Sequence, residues 1–342
     1  LLKIMSEKLK SLIPLAFDGI LTRADTAKAF EIIMSGKALE SQIAAFLIAL
    51  QKSGVNSEHI LGSISVMHNK MITVKTPAGS IDTCGTGGDG KSSLNISTAI
   101  SFILAANNLT VAKHGNKALT SKCGSADVLS ALNININMPV ELIGECLKEI
   151  GICFMFAPNH HPAMKHVGPV RQQIGVRTIF NMLGPLLNPG NVDNQIIGVF
   201  SKDVFRIYKE VFNNREGKNA FIIHGFEGMD EISTAGENLI YSKDYGEVLF
   251  DPSEINISRP KEAELIGKTP EYNANRIIDI FTGKKDSFYE IVCINSAFAF
   301  LLDSKKEPNK KNIEEFYEIS KNIIDSGSAE KKLNDLISFS NK

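Results

Sequence analysis

The residues best suited to chemistry stand in one run, Asp82-Thr83-Cys84-Gly85-Thr86-Gly87-Gly88-Asp89-Gly90-Lys91-Ser92-Ser93, followed by Asn95-Ile96-Ser97-Thr98. Glycines let backbone N–H groups come close to an anion, and a helix start directly behind them favours negative charge. The spacing is neither GxxxxGK[ST] nor GxGxxG with a downstream acid, so the common nucleotide-loop readings fail. A plain strand-to-helix turn needs one or two glycines. Gly85, Gly87, Gly88 and Gly90, with an acid and a run of hydroxyls, point instead to phosphate handling.

A second group, Lys113-His114-Gly115-Asn116-Lys117, ends the next apolar run. Residues 91–126 hold four lysines and no acid, and residues 150–192 hold Lys165, Arg171 and Arg177, again with no acid. His114, His160, His161 and His166 fall within or between these stretches. One lysine run is usually a solvated face. Two acid-free stretches around a glycine loop suggest a pocket for a multiply charged anion. Its counter-ion site is Asp230-Glu231 in Gly228-Met229-Asp230-Glu231, because adjacent carboxylates suit a hard cation such as Mg²⁺ held jointly with substrate phosphates.

The elements that must position these groups follow from periodicity. At 342 residues the chain should form two domains. Residues 1–75 read as short helices: TRADTAKAFEIIMSG with Thr22 or Asp25 as cap, then a stripe of Leu39, Ile43, Phe46, Leu47 and Leu50 ending at Gly54, then a helix from Ser57 to about Met71. After Thr76-Pro77-Ala78-Gly79 the texture changes. Apolar runs at 80–84, 110–113, 152–156, 195–200, 220–224 and 239–241 alternate with helices at 97–107 and 125–132, which implies an α/β fold with a mainly parallel central sheet. Residues 163–190, helical over Ala163–Gly184, are expected to return to the first domain; residues 76–162 and 191–342 then make the larger α/β one, which carries the glycine loop.

Composition narrows the function class. Hydrophobic residues are 43%, charged residues 22% and the net charge is −1, which fits a globular protein and speaks against a general nucleic-acid binder. No apolar run approaches the roughly 20 residues of a membrane span, and the opening LLKIMSEKLKSLIPL does not read as a signal peptide. Cysteines 84, 123, 146, 153 and 293 form an odd set with no CxxC pair, which suits the cytoplasm.

Taken in order, GTGGD, NIST, KHGN, Gly124-Ser125-Ala126-Asp127, Phe156-Ala157-Pro158-Asn159-His160-His161-Pro162-Ala163-Met164, Arg171, Arg177-Thr178-Ile179-Phe180-Asn181, Gly184-Pro185-Leu186-Leu187-Asn188-Pro189 and Asp230-Glu231 resemble the anthranilate phosphoribosyltransferases of tryptophan biosynthesis. The resemblance implies a small helical domain joined to a larger α/β domain of the nucleoside phosphorylase/phosphoribosyltransferase type, and a homodimer formed through the helical domain. It implies transfer of phosphoribose from phosphoribosyl pyrophosphate to anthranilate, with Mg²⁺ and no obligatory general base. By the same resemblance the donor is bound by Gly85, Gly88, Asp89, Ser93, Asn95, Ile96, Ser97, Thr98, Lys113, His114, Gly115, Asn116, Lys117, Ala118, Leu119, Thr120, Ser121 and Ser125. Anthranilate is assigned to Gly85, Asn116 and Arg171, and the metal to Ser97, Asp230 and Glu231. Lys117 stands where the family has arginine, keeping the charge but not the bidentate fork. Cys84 and Cys123 are expected to be small packing residues. Two other readings are a pyrimidine-nucleoside phosphorylase, whose KxSxGG-type loop this chain lacks, and a non-catalytic nucleotide- or nucleic-acid-binding relative.

Overall fold

A computed structural model describes residues 2–118 and 122–342. The chain divides into two compact units, Leu1–Thr73 with Pro158–Pro189, and Val74–Ala157 with Gly190–Lys342.

The first unit is helical, with helices Leu2–Phe17, Arg23–Met34, Glu40–Ser53 and Ser57–Lys70. Thr22 is the cap of the second: its hydroxyl accepts the Asp25 N–H at 3.1 Å. Asn56 caps the fourth by accepting the His59 N–H. Phe30, Ile33, Phe46, Leu50 and Ile60 form its buried interior. Leu39, read as part of the Ile43 stripe, is 56% exposed, because it precedes the helix as its cap and so escapes the 3.6-residue period. The returning segment, expected to be helical over Ala163–Gly184, is helical in pieces. It breaks into 3₁₀ turns at Pro162–His166, Ile179–Met182 and Gly184–Leu186 around the helix Gly168–Ile174, which ends at left-handed Gly175. Pro162, Pro169 and Pro185 lack the N–H that a continuous helix requires.

The second unit is a seven-stranded sheet made of β1 (Ile81–Gly85), β2 (Val111–Gly115), β3 (Ile152–Phe156), β4 (Asn194–Gly198), β5 (Asn219–His224), β6 (Asn238–Ser242) and β7 (Gly246–Phe250), in the order β3-β2-β1-β4-β5-β6-β7. The β3-β2-β1-β4-β5 part is parallel, and β6 and β7 add antiparallel pairs. β4 is buried throughout, as a strand covered on both faces must be. The helix Ser287–Ser304 is buried along almost its whole length and packs on β4, β5 and the helix Ile96–Ala106; its Phe298 meets the rings of Phe221 and Phe250. From β1 the chain winds to β2 and β3 on one side, while β4 and β5 lie on the other. Order therefore reverses between β1 and β4, and a parallel α/β sheet opens its ligand crevice at such a point. The glycine-rich run begins there.

Candidate functional site

β1 leaves the sheet at Gly85, and the Thr86 N–H still pairs with the Gly198 carbonyl at the end of β4, at 2.9 Å. Beyond it Gly87, Gly88 and Gly90 take φ of 65, 75 and 76°, a left-handed path that side chains resist. The loop then meets an acidic segment carried by the turn after β5. The Gly87 N–H donates to Asp230 Oδ2 at 2.8 Å, and the Lys91 ammonium pairs with Glu227 Oε2 at 2.8 Å. Asp230 fits only because its neighbours are glycines. A methyl on Gly85 would come within 3.0 Å of Asp230 Cγ; one on Gly198 would come within 2.9 Å of Asp230 Cα, and closer still to its carbonyl.

Four charged side chains converge on this spot. Burial, and then the nearby Asp89 carboxylate, push Asp230 up to about 7. Glu231 is raised well above the usual carboxylate range by burial and by Asp230, against the opposing pull of Lys113 and the Ser97 N–H. Lys113 is 3% exposed and donates to the Thr83 carbonyl at 2.5 Å, with Ser97 Oγ at 3.4 Å. Burial lowers its pKa, while Asp82, Cys84 and Glu231 raise it. One ammonium therefore faces an excess of carboxyl groups, and Asp89 Oδ2 is buried with no donor among the described residues. Among the described residues no three His, Cys, Asp or Glu side chains are grouped to hold a metal ion by themselves. The surplus of carboxyl groups over cations and the orphaned oxygen nonetheless fit a hard cation that displaces their protons and draws its remaining ligands from a bound phosphate group.

The far side of the loop is pinned by a segment to which the sequence alone assigns no role. Gly267 N–H donates to the Ser92 carbonyl at 2.7 Å, Leu94 N–H to the Leu265 carbonyl at 2.9 Å, and Asn273 Nδ2 to Asn95 Oδ1 at 2.9 Å. Ser93 bridges to Ile266. Gly267 is required there, since a methyl would meet the Ser93 carbonyl at 2.6 Å. Ser97 opens the helix Ile96–Ala106 next to Glu231, whereas Ile96 and Thr98 are buried. The Thr98 hydroxyl has no hydrogen-bond partner among the described residues and lines a small cavity with Ser101, Lys113 and Cys153.

The KHGN group ends β2. His114 is buried and its N–H reaches Asp82 Oδ1 at 3.3 Å; Asn116 and Lys117 are exposed. Asp127, the last residue of the Gly124-Ser125-Ala126-Asp127 motif and one given no role there, shapes the segment beyond Lys117 by accepting the Ala118 and Gly124 N–H groups at 2.8 and 2.9 Å. Ser125 Oγ approaches the Asn116 carbonyl at 3.4 Å across Gly115. Leu119, Thr120 and Ser121 lie outside the described residues. Cys84 is only half-buried, so it is less enclosed than a packing residue, but burial and Asp82 push its thiol well up and keep it protonated. Cys123 is buried and pushed up to about 12.

Arg171 belongs to the helical unit. It is half-buried, its guanidinium lies 5.3 Å from the centre of the Phe180 ring, and among the described residues no carboxylate lies within ion-pairing distance of it. Burial lowers its pKa. His160 and His161, counted with the basic stretch, are buried, and burial moves both downward, His161 to about 4. They are neutral at pH 7, so the charge of that stretch resides in its lysine and arginines.

Comparison with known proteins gives a consistent picture. The "Glycosyl transferase family, a/b domain" matches residues 78–330, and the "Glycosyl transferase family, helical bundle domain" matches residues 12–71. The chain is 44% identical over 307 residues to the anthranilate phosphoribosyltransferase of Pelagibacter ubique (strain HTCC1062), covering 89% of this chain and 91% of that one. It is 40% identical over 336 residues to the one from Rhodopseudomonas palustris (strain BisB18), covering 97% and 98%. The crystal structure of anthranilate phosphoribosyltransferase from Thermus thermophilus superposes with a TM-score of 0.89 at 32% identity, over 96% of this chain and 99% of that one. That from Saccharomyces cerevisiae in complex with PRPP and Mg gives 0.88 at 25% identity, over 99% and 98%.

Proposed function

The chain belongs to the anthranilate phosphoribosyltransferase family, and from that premise we propose that it transfers the phosphoribosyl group of 5-phosphoribosyl 1-pyrophosphate to the amine of anthranilate, releasing pyrophosphate. The observation that carries this reading is the glycine loop at the β1/β4 crevice, tied to Asp230 and backed by Ser97, Lys113 and Glu231.

The donor lies along Gly85–Asp89 and the start of the helix Ile96–Ala106, where loop N–H groups and the helix N-terminus meet phosphate oxygens. Ser93, Asn95 and Ser97 add hydroxyl and amide contacts; Lys113 and residues 114–118 with Ser125 close the other side. Ser97, Asp230 and Glu231 would hold Mg²⁺, which when bound neutralises charge on the departing pyrophosphate. The C1–O bond breaks with its electron pair leaving on pyrophosphate, the amine lone pair forms the C1–N bond, and the amine proton passes to water. Anthranilate's amine is already neutral at pH 7, so the site needs no base, and positioning supplies most of the rate. We assign the acceptor's carboxylate to Arg171, a guanidinium with no carboxylate partner among the described residues, and its amine to Gly85 and Asn116.

The helical unit exposes Phe17 and Ile20 to 60% and 63%, apolar surface that supports a homodimer formed through this unit. All five cysteines are free thiols, which supports a cytoplasmic location. Among the described residues no helix is long and apolar enough to cross a membrane. The test is the loss of anthranilate fluorescence on mixing with protein, phosphoribosyl pyrophosphate and Mg²⁺. Phosphorolysis of thymidine without that loss would instead select the nucleoside phosphorylase reading.

A further inference from the structure

Lys91 is the one basic side chain between Ile81 and Val111, and it stands in the glycine loop two residues past Asp89 and two before Ser93. Its backbone N–H closes a turn onto Asp89 Oδ1 at 3.0 Å, which fixes it on the loop. Its ammonium does not face the loop's open side unpaired; it lies 2.8 Å from Glu227 Oε2. Glu227 reaches that point from a left-handed backbone, φ 54° and ψ 25°, a conformation glutamate adopts rarely and at a cost. The next residue, Gly228, is left-handed too, so the turn projects the Glu227 side chain toward the loop. Three residues on, Asp230 takes the Gly87 N–H. The loop is thus tied at Gly87 and at Lys91 to a single acidic segment.

We propose that Lys91 is a further donor-binding residue, a cation for the pyrophosphate group, and that Glu227 occupies it until the donor arrives. The inference rests on the donor-binding reading above. A glutamate carboxylate and a phosphoryl oxygen make the same demand on an ammonium, a charge-assisted N–H···O⁻ bond, so one can stand in for the other. Exchange is easy because the pair is weak: the two side chains are 37% and 63% exposed, and exposed ion pairs contribute little. A pyrophosphate bearing several charges outcompetes one carboxylate for the same cation. Glu227 therefore keeps the loop against the acidic segment in the free chain and lowers donor affinity as it does so.

The test is calorimetric titration of the full chain with phosphoribosyl pyrophosphate in Mg²⁺, for wild type, Glu227→Gln, Lys91→Met and the double variant, each checked for an unchanged melting temperature. Lys91→Met should weaken donor binding about five- to tenfold with the anthranilate KM unaltered, and Lys91→Gln serves as a second variant if the methionine disturbs folding. Glu227→Gln should tighten binding about two- to fivefold, the range an exposed pair allows. In the Lys91→Met background that gain should vanish, since there is no longer a cation to release. Weaker binding by Glu227→Gln, or the same gain in both backgrounds, overturns the proposal, the second because it shows mere through-space repulsion. A wild-type chain that binds no donor at all overturns the underlying reading, whereas normal wild-type binding that neither substitution alters overturns only this one.

Discussion

Gly198→Ala is a sharp test of the site because it alters no group that would touch a substrate. Gly198 ends β4, and the added methyl would lie 2.9 Å from Asp230 Cα and closer to the Asp230 carbonyl, where ordinary contact begins near 3.4 Å. The backbone must therefore yield by at least about 0.5 Å at Cα and further at the carbonyl, and no flexible side chain is available to give way. Overpacking of this kind costs about 1–3 kcal/mol, or a melting-temperature drop of about 2–10 °C for a unit of this size. Moving Asp230 also lengthens its 2.8 Å bond to the Gly87 N–H, and so slackens the loop. Since misplacement by about 1 Å can cost ~10²-fold in rate, turnover should fall about 10- to 100-fold. Turnover is read from anthranilate fluorescence at saturating donor and stability from calorimetry, with Gly168→Ala, where a methyl meets nothing within 4 Å, as the control. A Gly198→Ala variant that melts lower yet turns over at the wild-type rate would refute the claim that Asp230 must sit where β4 puts it.

Asn295, fully buried, accepts the Ile232 N–H and donates to the Ile232 and Ile291 carbonyls, so Asn295→Leu should cost about 2–4 kcal/mol in urea unfolding and weaken donor binding; an unchanged midpoint would show that the acidic segment is held elsewhere. Arg171→Ala should raise the anthranilate KM about tenfold or more while the donor KM stays within about twofold, with Arg171→Lys recovering part of the loss. Equal effects on both constants would make Arg171 a structural residue. Asp230→Asn with Glu231→Gln should raise the Mg²⁺ concentration for half-maximal rate about tenfold, and an unaltered Mg²⁺ titration would remove the metal role. His161, held at about 4 by burial against its usual 6.5, takes up its proton later in the native than in the unfolded state. Stability should then be intact above pH 6.5 and decline by at most about 3 kcal/mol as pH falls to 4. His161→Gln should flatten that decline, and parallel pH profiles would exclude it as the cause.

Strands that are buried on both faces announce themselves by composition: the run Ile152–Phe156 is also β3, and the other parallel strands begin and end within a residue or two of their apolar runs. β7 was not legible. Gly246-Glu247-Val248-Leu249-Phe250 is a short edge strand with Glu247 and Leu249 exposed, Leu249 to 58%, and its three-residue apolar run is too short to separate it from a loop. The glycine loop was legible as chemistry because its residue types are costly anywhere else. The residues that hold it were not. Gly198, Gly267 and Asn273 gain their meaning from neighbours far along the chain, and a single sequence does not show which remote segments meet. Glu227 is the instructive case: as a lone acid before Gly228-Met229-Asp230-Glu231 it reads as a solvated turn, and only its left-handed backbone and its pairing with Lys91 distinguish it.

The adjacency of β1 and β4 also sets a timetable for synthesis. β1 and β4 pair along their whole length, yet residues 86–193 lie between them, and within that insertion is all of Pro158–Pro189, without which the helical unit is incomplete. At about 5–20 residues per second a ribosome spends roughly 5–20 s on this stretch. Throughout it the nascent chain carries β1 with its β4 side unpaired, an apolar strand edge open to any other chain. Neither unit can close until that stretch has been made: the helical unit waits for Pro189, and the sheet unit waits longer, for the helix Ser287–Ser304. A pause in translation between Gly85 and Asn194 would therefore lower the yield of soluble protein more than an equal pause after Gly198, when β1, β2 and β3 all have their neighbours.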